Sequence, residues 1–193
     1  ALRGLSSPET SRQGNLFGIL GMALAIIVTF LSVDILFNSF IFILCTLLAG
    51  GFVGAIVAYR ISMTAMPQLV AGFHSLVGLA AVLVGLSAFY NPETFGLGTL
   101  NNIKTASLIE MSIGVSVGAI TFTGSVIAFL KLQGIMSGAP ITFKGQHFIN
   151  LLIGISILYL IFYITTNQGS SIFWALIIIS FLIGVLLIIP IGG

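Results

Sequence analysis

The sequence predicts an all-α integral membrane protein, a bundle of six transmembrane helices with both ends in the cytoplasm. Three observations lead there. Of 193 residues, 58% are hydrophobic and only 5% are charged, whereas a soluble domain carries about 25% charged residues to meet water. Six apolar segments each approach the roughly 20 residues that a helix needs to cross a hydrocarbon core of about 30 Å. No segment alternates apolar and polar residues with the period of two that a membrane barrel requires.

The spans follow in order. The first, 16–33, lies downstream of Ser7-Pro8-Glu9-Thr10, which has the capping and early-proline pattern of a helix start. Asp34 and Asn38 separate it from the second, 36–59; the joined run is far too long for one crossing. Thr64-Ala65-Met66-Pro67 opens the third, 67–89, and Asn91-Pro92-Glu93 turns the chain after it. The fourth runs over 106–131. Gly138-Ala139-Pro140 is turn material before the fifth, 147–165, and the sixth spans 172–190. Short outer loops make helices 1–2 and 5–6 antiparallel neighbours.

Charge sets the orientation. Arg3, Arg12, Arg60, Lys131 and Lys144 fall on the side of both ends, and only Lys104 falls opposite. The positive-inside rule therefore places both ends in the cytoplasm. Tyr90, Tyr163 and Trp174 sit at outer helix ends, as an aromatic belt would. Gly14/Gly18, Gly50/Gly54 and Gly114/Gly118 have the small-xxx-small spacing that lets helices approach closely in lipid. Arg60, Lys131 and Lys144 read as orientation charges and Asp34 as a loop residue. Net charge is +2 without a basic cluster, so no nucleic-acid partner is implied, and the lone Cys45 forms no internal disulfide. The chain opens on Ala1 without an initiating Met and stops at Gly193 without a polar tail, and is expected to be a piece of something longer.

One residue stands out. His74 lies in the middle of an apolar span, where an ionisable group is costly and marks function by default. Its charge changes near neutral pH, which suits a proton path. On the fourth span Glu110, Gly114, Gly118, Thr121 and Ser125 share one face. His74 is seven residues past Pro67, and Ser125 seven before Leu132, so each lies about 10 Å from the inner edge. Small neighbours at Ser75, Gly78 and Ala81 leave room beside His74 for a helix or water. The reading is an inner-half site of His74, Ser125 and Thr121 with Glu110 toward the outside. Blander readings stand beside it. His74 serves as interhelical glue, Ser125 and Thr121 bond their own backbone, and Glu110 is a helix-start carboxylate favoured by the dipole.

Other chemistries lack their parts. Haem needs axial ligands at matched depth, and His147 sits at the inner edge of the fifth span. Two His, one distant Cys and scattered carboxylates make no metal cluster. A Ser125–His74 protease has no nameable oxyanion donors. No Gly-rich loop joins a strand to a helix, so no nucleotide is bound by a known motif.

The stretch Pro67–Gly85 and Gly118-Ala119-Ile120-Thr121-Phe122-Thr123-Gly124-Ser125, with Glu9–Gly14, Lys131-Leu132-Gln133-Gly134 and Ile191-Gly192-Gly193, resembles the beta subunit family of proton-translocating NAD(P) transhydrogenase. The resemblance runs in order over essentially the whole chain. It implies a membrane domain that carries protons while hydride passes between NADH and NADP⁺ on two peripheral nucleotide-binding domains. It places the family's membrane histidine on His74, its helix serine on Ser125 and an outer carboxylate on Glu110. It implies as partners the alpha subunit with its NAD(H) domain, the same subunit's NADP(H) domain, the lipid bilayer, protons and water, and a dimer of the complete enzyme. The location implied is the bacterial inner membrane, or the mitochondrial one in eukaryotic relatives. The family also has a helix before Ala1, several after Gly193, one of them carrying a proton-site asparagine, and the NADP(H) domain. Where some relatives have an acid between Thr64 and Met66, this chain has Ala65. The chain is therefore expected to hold no cofactor and not to transfer hydride by itself. The competing function is a channel or transporter bundle with no redox link; a scaffold subunit is a third.

Overall fold

The computed structural model describes residues 7, 9–32 and 37–192. Pro8, Asp34 and the side chain of Asn38, all used in the sequence reading, lie outside the described residues. Among the described residues six helices are long and apolar enough to cross a membrane, as the sequence predicts. They are α1 (Ser11–Ser32), α2 (Phe37–Arg60), α3 (Met66–Tyr90), α4 (Thr105–Leu132), α5 (Gln146–Tyr163) and α6 (Ser170–Ile188). Five agree with the predicted spans within about two residues at nearly every boundary; α1 starts five residues earlier than expected, at Ser11, through a polar turn that adds no apolar length.

The chain divides into two compact units, Ala1–Arg60 and Ile61–Gly193. In the first, α1 and α2 form a splayed antiparallel hairpin. Phe30 meets Phe40 edge to face at 5.6 Å. Beside them a groove of about 330 Å³ is lined from Met22 to Phe30 on α1 and by Ile43 and Leu47 on α2. The expected glycine seams do not form here: a Cβ on Gly18, Gly50 or Gly54 would meet nothing within 4 Å.

The second unit holds the core. Leu108, Val115, Phe173, Leu176 and Ile177 are fully buried, where α3, α4 and α6 converge. Pro67 occupies the first turn of α3, where its missing N–H is no loss. A short 3₁₀ turn, Met63–Ala65, precedes it. Between α3 and α4 the chain adds a feature the sequence reading lacked, a two-residue antiparallel pair of β1 (Gly98–Thr99) and β2 (Asn102–Ile103). Asn101 turns it with φ 65°, a conformation that Asn tolerates better than most residues. The Gln168 side chain clamps it: its Nε2 donates to the Ile103 carbonyl at 3.1 Å and its Oε1 accepts the Ile103 N–H at 2.8 Å. At the same end the Trp174 indole N–H donates to the Tyr90 hydroxyl at 2.9 Å, and Phe89 stacks on Phe173 with centroids 4.2 Å apart. At the opposite end Gln146 Nε2, at the start of α5, donates to the Leu186 carbonyl near the end of α6 at 3.0 Å. That pairing makes α5 and α6 antiparallel, as their short loop predicts.

Candidate functional site

The site is built on the α3–α4 hairpin, and small residues set its register. A Cβ on Gly78 would lie 2.6 Å from the Phe122 nitrogen and 2.7 Å from the Gly118 oxygen. One on Gly118 would lie 2.8 Å from the Gly78 oxygen. The two backbones touch here, which any side chain would prevent. Further along, Gly85 faces Val115, and Gly72 faces the Phe129 ring at 3.6 Å. The helices therefore run antiparallel. His74 lies between Gly72 and Gly78 on α3, so its level on α4 lies between Phe129 and Phe122. Ser125 is within that interval, and the shared level expected from counting residues agrees with the packing.

The flanks can be assigned as well. At 3.6 residues per turn, His74, Ala81 and Ala88 fall to one side of the contact line through Gly78. Ser75 and Val82 fall to the other. On α4, Glu110, Gly114, Thr121 and Ser125 fall to one side of Gly118, and Val115 and Ala119 to the other. In antiparallel right-handed helices, flanks of the same hand lie on the same side of the pair. Burial follows this division at most positions: Ser75, Val82, Val115 and Ala119 are buried, whereas His74, Ala81, Glu110 and Gly114 are exposed and Thr121 and Ser125 are half-buried; Ala88, near the outer end of the open flank, is buried. Thus all four sequence-chosen residues lie along one flank of the hairpin, the flank away from the core. On it, a groove of about 380 Å³ is lined by Ala81, Val84, Gly85 and Ala88 of α3 with Met111, Gly114 and Val115 of α4.

The structure does not bring the four together at one point. Glu110 shares the level of Ala88, fourteen residues beyond His74, an axial separation of about 21 Å. His74, Glu110, Thr121 and Ser125 make no hydrogen bond to any described residue. Ser125 and Thr121 thus do not bond their own turns, unlike Ser75, whose hydroxyl donates to the Gly72 carbonyl at 2.7 Å. Glu110 is not a helix-start carboxylate: α4 begins at Thr105 and has no acid in its first turn, beyond which the dipole effect fades.

Lys131 is not merely an orientation charge. It is 6% exposed, and its Nζ donates to the carbonyls of Ile189 at 2.7 Å and Ile191 at 2.6 Å. These carbonyls lie just past the end of α6, where the helix has no amides to bond them. A cation at a helix C-terminus also meets the negative end of the dipole. About two turns upstream, the Thr123 hydroxyl lies 2.9 Å from the Phe181 carbonyl and 3.1 Å from that of Ala119. Gly184 packs against Ile120 and Thr123, and Gly124 against Ile188. The inner half of α4 is therefore fastened to α6 on the face opposite Thr121 and Ser125. A lysine at the last turn of a span reads as orientation from sequence alone; only the tertiary fold shows which carbonyls it reaches.

Among the described residues the two strands are two residues long, and neither leads through a glycine-rich turn into a helix.

Comparison with known proteins gives these features a family. Residues 1–193 match the family described as NAD(P) transhydrogenase beta subunit. The chain is 50% identical over 193 residues to NAD(P) transhydrogenase subunit beta of Rhodospirillum rubrum, a match that covers 100% of this chain and 41% of that protein. A second Rhodospirillum rubrum sequence of the same name matches to the same extent. The chain spans well under half the length of these relatives. Matched from Ala1 to Gly193, and built of membrane-length helices, the chain belongs to the NAD(P) transhydrogenase beta subunit family.

Proposed function

We propose that this chain is part of the membrane domain of a proton-translocating NAD(P) transhydrogenase and that the open flank of its α3–α4 hairpin carries the proton. The observation that carries the reading is the arrangement of His74, Ser125, Thr121 and Glu110 on that one flank, with His74 and Ser125 at a common level. His74 takes up and releases the proton. Ser125 and Thr121, half-buried and with free hydroxyls, hold water or the imidazole. Glu110, about 21 Å further out, admits protons from the outer side.

In the complete enzyme, hydride passes between NADH and NADP⁺ on the NAD(H) domain of the alpha subunit and the NADP(H) domain of the beta subunit, in a bacterial inner membrane. No step of that transfer falls on these residues. Coupling requires the access or protonation of His74 to differ between nucleotide states, because a ligand shifts an equilibrium only through differential affinity. The positive-inside rule orients the chain with Arg60, Lys131 and Lys144 in the cytoplasm.

The test is the complete enzyme in liposomes carrying His74→Ala. Proton pumping driven by hydride transfer is expected to be lost. Undiminished pumping removes His74 from the path and returns the chain to the rival reading of a bundle in which this histidine is dispensable.

A further inference from the structure

The face of α4 turned toward α6 carries a second set of hydroxyls, separate from Thr121 and Ser125. Ser112 and Ser180 are fully buried and Ser116 is 4% exposed. The side-chain oxygens of all three have no hydrogen-bond partner among the described residues. Several helical hydroxyls elsewhere among the described residues, though not Thr121 or Ser125, satisfy themselves on the preceding turn. Thr29 donates to the Ala25 carbonyl at 2.8 Å, Ser156 to that of Leu152 at 2.8 Å, and Ser75 to that of Gly72 at 2.7 Å. Ser112, Ser116 and Ser180 do not take that route.

Register places them together. α4 and α6 run parallel, since Gly184 packs on Ile120 and, one turn further in, Ile188 packs on Gly124. One turn outward from the Gly184–Ile120 contact are Ser180 and Ser116. One turn beyond Ser116 is Ser112, at the level of Leu176. The seam around them is apolar and buried, with Val115, Ala119, Leu176 and Ile177 nearby and less than 1% exposed. Leaving a buried hydroxyl unpaired costs about 1–3 kcal/mol, and three in one seam compound the demand for a partner. A protein interior binds water where two to four polar groups meet and leave room for it.

We propose that Ser116 and Ser180 bind an internal water between α4 and α6, with Ser112 as its outer partner. The water takes the hydroxyl protons that no carbonyl receives and donates its own to the serine oxygens. It lies on the face of α4 opposite the flank of His74 and Ser125, so the site does not depend on the proposed proton path. It belongs to the fastening of α4 on α6, one turn outside the contact of Gly184 with Ile120.

The test uses the complete enzyme in lipid bilayers, with serine and alanine labelled, and measures magnetisation transfer from water to individual residues by solid-state NMR. In the unsubstituted protein, build-up at Ser116 and Ser180 is expected to be several-fold faster than at Ala119, which is fully buried in the same seam. Build-up at both serines as slow as at Ala119 overturns the proposal, whether the seam is dry or the two hydroxyls bond each other. A second arm replaces one partner. Ser180→Ala is expected to slow transfer to Ser116 toward the Ala119 rate; an unchanged rate at Ser116 also overturns it.

Discussion

Replacing Lys131 by methionine tests whether the buried amine holds the inner end of the bundle. Methionine keeps the length and flexibility of the side chain and removes only the ammonium. Two short bonds to the carbonyls of Ile189 and Ile191 are lost. Charge-assisted bonds contribute about 1.5–3 kcal/mol each, so the gross loss is about 3–6 kcal/mol. Two effects reduce it. The substitution removes the desolvation penalty of a buried ammonium, itself several kcal/mol, and no carboxylate is left unpaired by the change. The carbonyls also have relief at hand: that of Ile189 keeps the Ile141 N–H at 3.2 Å, and Ile191 is 55% exposed. The net expectation is a destabilisation of about 2 kcal/mol, comparable to the strongest effects of a cation at a helix C-terminus. Unfolding in mixed micelles with increasing SDS measures it, with Lys131→Arg as a comparison. Arginine keeps the charge but spreads it over a planar fork, so it is expected to recover part of the loss. A Lys131→Met protein as stable as the parent, or more stable, refutes the reasoning and returns Lys131 to a role in orientation alone.

Gly78→Val drives a branched side chain into the backbone of Gly118 and Phe122, where even a Cβ has no room. It is expected to part α3 from α4 and destabilise the hairpin by about 3 kcal/mol or more, and crosslinking between cysteines placed on the two helices would report the opening. Gln168→Ala removes both bonds to Ile103; a loss of about 1–2 kcal/mol is expected, with faster amide exchange at Ile103 as the local readout. Glu110→Gln leaves a polar group that water can supplement, so hydride-linked pumping in liposomes is expected to slow only about two- to fivefold, a barrier change of up to about 1 kcal/mol. Loss as complete as in His74→Ala would make Glu110 an obligatory proton carrier.

The helices were legible because membrane spans announce themselves by length and composition, and the turns because proline and glycine interrupt them. The start of α1 was not, since the polar turn from Ser11 to Asn15 can be helical without being apolar. The small β1–β2 pair was not either; two residues per strand are too few for any period, and its stability rests on Gln168, sixty-five residues away. Of the candidate site, the shared level of His74 and Ser125 could be counted from helix ends. Their common flank could not, because periodicity shows which residues share a face but not which neighbour that face meets. The same gap hid Ser112, Ser116 and Ser180. A helical wheel of α4 has hydroxyls on two faces, and only the packing of α6 separates buried from open. The glycine spacings misled for a related reason. In lipid a small-xxx-small pair permits close approach without requiring it, and the contacts that form use Gly78, Gly118 and Gly184 while Gly114 meets nothing.

The two faces of α4 have opposite demands, and the residues divide accordingly. A group that passes protons must keep its level within a fraction of a turn of its partner, since one residue of slip moves it about 1.5 Å and rotates it by more than a quarter turn. The open flank cannot supply that constraint: Thr121 and Ser125 have no hydrogen-bond partners among the described residues, and His74 is exposed. The constraint comes from elsewhere. The backbone contact of Gly78 with Gly118 fixes α4 along α3, while Thr123, the Gly184 contact and Lys131 fix its rotation against α6. Because these attachments occupy the far side of the helix, the hydroxyls on the flank of His74 stay positioned without being consumed as structural bonds. Any change in proton access then falls on what meets the open flank rather than on the placement of Ser125. In the proposed transhydrogenase cycle this makes the α4–α6 seam the stationary part. Cysteines placed at Thr123 and Phe181 should therefore keep one crosslinking rate in every nucleotide state, and a rate that changes with bound NADP(H) would contradict the division.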